Sequence, residues 1–248
     1  MYHTYIDNCY TDEQVKSMQS MDSSSKTFHN FISDKELGVL QHMIKNIEFP
    51  EKGETSKYSG ASYNDPQGMI LKKIFDDKIK NIIGDYELDF FAWQEAIIPW
   101  KTHADLRWYP DKIPYKVILV PLGVKSDQED WKDTYTVAFK QRDYLQSNQN
   151  TGEGKKGNTD QKDWKRPCDQ PGMHNLVNGF NISKEDHEKY FSHMPYEWLE
   201  GLEIDNMFKW TPGSCVVWDQ NQLHCADNFL ANGIQTKLSL IFFTNQKQ

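Results

Sequence analysis

Trp100-Lys101-Thr102-His103-Ala104-Asp105 and, far downstream, Asp219-Gln220-Asn221-Gln222-Leu223-His224 are the two stretches on which the reading of this 248-residue chain turns. Two imidazoles and one carboxylate can occupy one face of an octahedral metal ion and leave three positions open. That ligand set suits non-haem Fe(II) and oxygen activation. Strand side chains alternate, so His103 and Asp105, two apart, are expected to share one face of a strand. By itself a His-x-Asp pair also fits an exposed histidine and aspartate at a strand end. The distal His224 favours the metal, as does a strand beyond it that carries Lys237 and Ser239 within the apolar run Leu238, Leu240, Ile241, Phe242 and Phe243.

Around these stretches the pattern predicts strands near 88–98, 115–122, 134–141, 207–210, 214–219 and 236–244, rich in Val, Ile, Phe, Tyr and Trp. Ahead of them lie two amphipathic helices. Ser33-Asp34-Lys35-Glu36 forms a capping box that opens the first, with Leu37, Leu40 and Ile44 on one face. Asp65 and Pro66 open the second, Leu71, Ile74, Phe75, Ile79, Ile82 and Ile83 recur at helical spacing, and Gly84 stops it. Residues 1–30 and 51–64 read as irregular. Ser183-Lys184-Glu185-Asp186 opens a short helix that Pro195 interrupts. The expected fold class is therefore mainly β with flanking α-helices.

Apolar content of 38% is ordinary for a globular chain, and no run approaches the ~18 apolar residues of a membrane span. The net charge of −8 argues against a nucleic-acid partner, because phosphate binding needs a basic face. Residues 125–166 hold many basic side chains but nearly as many acidic ones. The four cysteines, Cys9, Cys168, Cys215 and Cys225, lack metal-finger spacing, and no secretory signal opens the chain. Free thiols in a reducing, cytoplasmic compartment are expected. The other six histidines (His3, His29, His42, His174, His187 and His193) have no ligand spacing and read as surface or structural.

On His103-Ala104-Asp105, His224 and the Lys237/Ser239 strand, the chain resembles the Fe(II)- and 2-oxoglutarate-dependent oxygenases of the double-stranded β-helix (jelly-roll) fold. The resemblance covers about 90–124 and 207–245, including Gly213-Ser214-Cys215-Val216-Val217-Trp218 and the turn to His224. It implies that His103, Asp105 and His224 hold Fe(II), and that Lys237 and Ser239 bind the distal carboxylate of 2-oxoglutarate. It further implies hydroxylation of a substrate C–H bond with O2, releasing succinate and CO2. Most members carry arginine where this chain has Lys237, and lysine binds as a point charge where arginine offers a fork. Members that lose the carboxylate bind halide there, so Asp105 favours hydroxylation. Arg107 has the same parity as His103 and Asp105 and is a further candidate for an acid group.

The chain is read as one oxygenase domain over 1–248, with 1–86 as helical support, 87–124 and 207–245 as the metal core, and 125–206 as an insertion or lid. Within it, 142–182 is polar and glycine-containing, and fits either a flap beside the site or a remote surface excursion. Lys237 also fits a lysine paired with an acidic side chain. A cupin-like metal-dependent oxygenase or hydrolase that does not use 2-oxoglutarate is the alternative function, and a non-catalytic binding module is a third. Small molecules, peptidyl side chains and lipid-like acids all stand open as substrates, as does the oligomeric state.

Overall fold

In the computed structural model, residues 10–49, 51–52, 56–61, 63, 66–106, 111–127, 133–144, 168 and 172–247 are described, with 51, 52, 58 and 61 described by backbone alone. The chain runs through β1 (Lys26–Phe28), β2 (Glu51–Lys52), β3 (Ser56–Ala61), β4 (Tyr86–Ala96), β5 (Pro114–Lys125) and β6 (Tyr135–Asp143). It continues through β7 (Met173–His174), β8 (Ile204–Lys209), β9 (Cys215–Asp219), β10 (Gln222–Ala226) and β11 (Thr236–Gln246). The large sheet has the order β1-β9-β5-β11-β4-β3-β2. The small sheet has β10-β6-β7, with β8 also on β6. Neighbouring strands pair antiparallel, including β11 between β4 and β5, and β10 on β6.

Alternation along the strands sorts residues onto two faces. Phe91 and Trp93 of β4, Ile118, Val120 and Leu122 of β5, Val217 of β9, and Leu240 and Phe242 of β11 face outward from the large sheet. There they pack on α2 (Asp34–Lys45) and α3 (Pro66–Ile83) through Leu40, Ile44, Leu71, Phe75 and Ile79. Each such side chain, once fully buried, contributes roughly 1.5–3 kcal/mol. The two helices therefore seal the outer face. The opposite residues (Ala92, Val117, Leu119, Val216, Trp218, Ile241 and Phe243) meet Ala138 and Phe208 of the small sheet in a second core. Two antiparallel sheets thus face each other as in a jelly roll. The outer face of the small sheet is covered by 182–202 through Ile182, Phe191, Met194, Leu199 and Leu202.

Local chemistry explains the helix limits. Ser33 and Glu36 form the expected capping box, and Gly84 ends α3 at a positive φ of 80° that suits glycine. The Asp65 cap lies outside the described residues. Two irregular segments of the sequence reading are corrected. Residues 10–30 contain α1 (Asp12–Ser20), opened by a Thr11–Gln14 capping box, and the short β1. Residues 51–64 contain β2 and β3, which extend the sheet beyond β4. β1, β2 and β3 are held by edge pairing, a long-range property that periodicity does not reveal. The expected flap falls largely on 145–167, outside the described residues.

The N-terminal segment is locked to the β9–β10 turn by a buried polar network. Asp219 binds Lys116 Nζ, Arg142 at 3.0 Å and the Ser23 backbone N–H at 2.9 Å. Arg142 also donates to the Ser23 carbonyl at 2.7 Å. Removing one partner of such a group leaves buried charge uncompensated. Asp219→Ala is therefore expected to lower stability by about 3–5 kcal/mol, read as a fall in the urea midpoint. An unchanged midpoint would show that the network does not hold the turn.

Candidate metal centre

His103 and Asp105 do not lie on a regular strand, as their alternation had suggested. Residue 103 makes an isolated antiparallel bridge with His224. The two residues exchange backbone hydrogen bonds, His103 N–H to His224 O at 3.0 Å and His224 N–H to His103 O at 2.8 Å. The Asp105 N–H then donates to the Gln220 carbonyl at 2.9 Å, on the far side of the tight β9–β10 turn. The three side chains converge from two segments. Their ligand atoms lie within 4.8 Å of one another, with His103 Nε2 3.7 Å and His224 Nε2 3.2 Å from the Asp105 carboxylate.

Each imidazole is oriented from behind. His103 Nδ1 contacts the Lys101 carbonyl at 2.7 Å and His224 Nδ1 contacts the Gln222 carbonyl at 3.0 Å. A carbonyl only accepts, so Nδ1 carries a proton in each ring and Nε2 is the nitrogen turned toward Asp105. Burial pushes His103 down to about 4, the His224 imidazole adds to this, and Asp105 opposes it. The neutral ring is the form that binds metal. Gln222 is itself fixed, donating to the Phe139 carbonyl at 2.8 Å and to Asp205 at 2.9 Å. Among the described residues this is the one His/Cys/Asp/Glu cluster with metal-binding geometry. His193 is half-buried outside this cluster, and the desolvation of its ring holds it low, to about 4.

A pocket opens from the cluster between the sheets, with about 630 Å³ of empty space including its mouth. Besides His103, Asp105 and His224, its walls include Leu119, Trp210, Trp218, Phe229, Ile241 and Phe243, with Gln94, Thr136 and Lys237 as polar groups. Lys237 is only 2% exposed. Its Nζ donates to the Tyr135 carbonyl at 2.8 Å, lies 3.9 Å from Asp227 and sits 4.0 Å from the centroid of the Trp210 ring. Burial pulls the ammonium down to about 8, while Asp227 holds it up. Burial likewise raises Asp227, against the pull of Lys237 and of the Thr134 hydroxyl, which donates to it at 2.6 Å.

Lys237 thus combines both sequence readings: it lines the pocket and it has an acidic neighbour. Ser239 points to the same side of β11 but is not part of the pocket wall. Its hydroxyl donates to Gln94 Oε1 at 3.1 Å, and Gln94 is in the wall. Arg107 lies outside the described residues. Asp227, Gln94, Trp210 and Trp218 were not singled out from the sequence. The signal for two of them was present, because Gln94 shares the inward parity of Ala92 and Trp218 that of Val216.

No family model matches the chain, and no curated protein matches it. Solved structures do. A crystal structure of the non-heme alpha ketoglutarate dependent epimerase SnoN from nogalamycin biosynthesis is 12% identical, at a TM-score of 0.53 over 94% of this chain and 82% of that one. SnoN in complex with Fe3+, alpha ketoglutarate and nogalamycin RO is 10% identical, at a TM-score of 0.51 over 94% and 83%. These likenesses establish the double-stranded β-helix fold.

If the three residues are the ligands, His103→Ala or Asp105→Ala should abolish tight Mn(II) binding in calorimetry, and a bound ion should sit about 2.0–2.2 Å from their N and O atoms. Wild-type affinity in either variant would remove that residue from the site.

Proposed function

We propose that this chain is an Fe(II)- and 2-oxoglutarate-dependent dioxygenase that hydroxylates a C–H bond of a small-molecule or peptidyl substrate. The observation that carries the reading is the convergence of His103, Asp105 and His224 in one pocket with a buried ammonium, Lys237. The donor set fits the ion: two imidazoles with Nε2 turned inward and one carboxylate are suited to non-haem Fe(II). The alpha ketoglutarate dependence stated for SnoN supports carrying that co-substrate to this chain. Iron(II) so held, with 2-oxoglutarate and O2, supplies an oxidation that yields succinate and CO2 and places one oxygen atom in the C–H bond.

The protein's part is binding and exclusion. The Lys101 and Gln222 carbonyls keep both rings in the ligating tautomer. Lys237 offers a positive charge at a fixed point, suited to the distal carboxylate, and Asp227 keeps that lysine protonated near neutral pH. Ser239 acts through Gln94. Leu119, Ile241, Phe243 and the Trp210 ring keep water from the anion and strengthen its attraction to Lys237. Arg107 stays a candidate for an acid group of either substrate.

The single-domain reading, with 87–124 and 207–245 as the metal core, is part of this proposal. Free Cys168, Cys215 and Cys225 support a reducing, cytoplasmic setting, and the acidic charge supports a partner other than nucleic acid. Among the described residues no helix is long and apolar enough to cross a membrane.

Air-free protein given Fe(II), ascorbate, 2-oxoglutarate and O2 should release succinate, and His103→Ala should not. Oxygen consumption that proceeds without 2-oxoglutarate would favour the cupin-like alternative. Lys237→Met should weaken 2-oxoglutarate binding about ten- to a hundred-fold and leave Mn(II) affinity intact, as expected for one charged hydrogen bond. The pH dependence has a defined sign. The free lysine is charged below about 8 and neutral above it, and the co-substrate is an anion. Affinity should be level below pH 8 and decline as pH rises through it. A pH-independent affinity, or an unaffected Lys237→Met, would move the role elsewhere.

A further inference from the structure

His224 is oriented by the Gln222 carbonyl, and Gln222 is oriented by a residue outside the pocket wall. Gln222 is fully buried. Its Nε2 donates to two oxygens that only accept, the Phe139 carbonyl at 2.8 Å and the Asp205 carboxylate at 2.9 Å. Its Oε1 has no donor among the described residues. The amide is therefore held by its nitrogen alone, and those two bonds must offset the cost of an unmet buried oxygen. Asp205 reaches Gln222 across β6, because β8 and β10 pair with opposite sides of that strand. The register explains how. Asn206 stands opposite Ala138 and Ile204 opposite Phe139, so Asp205 is an extra residue on β8, and such bulges re-aim a side chain. β10 also departs from register here, between Gln222, opposite Arg142, and His224, opposite Ala138.

We infer that Asp205 is a positioning residue for His224, gripping the Gln222 amide so that the Gln222 carbonyl stays aimed at His224 Nδ1. This rests on the function proposed above, in which His224 holds the metal. Asp205 suits the task because it is itself firmly held. Its Oδ2 accepts from the Ser25 N–H at 2.8 Å and the Ser25 hydroxyl at 2.5 Å as well as from Gln222. Burial opposes its charge, but the Ser25 and Gln222 hydrogen bonds prevail and hold the carboxyl below its ordinary value. Ser25 is buried, and its neighbours bind the same turn. Asp22 accepts from Asn221 at 3.1 Å, and the Ser23 N–H donates to Asp219 at 2.9 Å. Segment 22–25 thus grips residues 219, 221 and 222, the last through Asp205. Gln220, between them, supplies the carbonyl that receives the Asp105 N–H. Both Asp105 and His224 are therefore set by a turn whose side chains are fastened to the amino-terminal segment.

The test titrates the full chain with Co(II), whose visible bands report the geometry of its ligands. Asp205→Ala should weaken Co(II) about ten- to a hundred-fold, the range for losing a partner behind a ligand, and should shift the bands at saturation. Asp205→Asn keeps the shape and an oxygen for Gln222, and should recover most of the affinity and the wild-type bands. Gln222→Met removes the gripped amide and leaves the backbone carbonyl. It should weaken Co(II) as Asp205→Ala does, and the double variant should be no weaker than the weaker single, since both act through one contact. Leu71→Ala, which loosens the helix-covered core, should lower the urea midpoint and leave Co(II) affinity and bands unchanged. Gln222→Met and Asp205→Asn carry the test if Asp205→Ala does not fold. Wild-type affinity and bands in Gln222→Met or Asp205→Ala overturn the assignment and leave the proposed function standing. So does an Asp205→Asn as weak as Gln222→Met, because the effect would then be one of charge. A wild-type chain that binds no Co(II) overturns the metal reading of His224 as well.

Discussion

The reciprocal backbone pairing of His103 with His224 is the constraint on which the site depends. Residues that exchange both hydrogen bonds in an antiparallel ladder stand about 5.5 Å apart at Cα with side chains on one face. Here that leaves the two rings 4.3 Å apart between centroids. The chain far from each histidine in sequence need only deliver the two backbones. The third contact, Asp105 N–H to Gln220 O, falls out of register with that bridge, on the β9–β10 turn, and brings the carboxylate in. The His103, Asp105 and His224 cluster is thus organised by main-chain hydrogen bonds, and the cost of ordering it is met by folding.

A second constraint acts at the other end of the pocket. A lysine as buried as Lys237 would lose its charge without compensation. Asp227, the Tyr135 carbonyl and the Trp210 ring supply that compensation from three directions. Asp227 is fixed in turn by Thr134 and by Asn232 at 3.1 Å. Compensation is partial, since the ammonium remains below its ordinary range. A partly compensated cation in an apolar cleft retains appetite for an anion, which a fully neutralised pair would lack.

The legibility of the sequence divides along the range of the interactions. Ser33 with Glu36, Gly84, and the alternation of Leu238, Leu240 and Phe242 against Lys237 and Ser239 are local signals, and the structure carries each. His103, Asp105 and His224 could be singled out because metal chemistry restricts residue types, but strand parity was the wrong reason for the common face of His103 and Asp105. The bridge to β10 supplies it. β1 and β3 were invisible, since short edge strands owe their state to a partner. Asp227 and Trp218 escaped notice for another reason: an aspartate near a turn and a tryptophan in a strand are ordinary until tertiary neighbours are known. Ser239 was seen, but its contact with Gln94 depends on the register of β11 against β4.

The placement of β11 has a bearing on how the molecule is made. It follows every other strand in sequence, yet it lies in the interior of the large sheet, hydrogen-bonded to β4 on one side and β5 on the other. Until it inserts, β4 and β5 each present a long unpaired edge to solvent, with Phe91, Trp93, Ile118 and Val120 flanking the gap. Such edges template association with other chains. Loop closure over this separation is slow compared with local helix formation. A nascent chain must therefore carry an open sheet until 236–246 has left the ribosome, and its yield in a cell is set by how well that interval is protected.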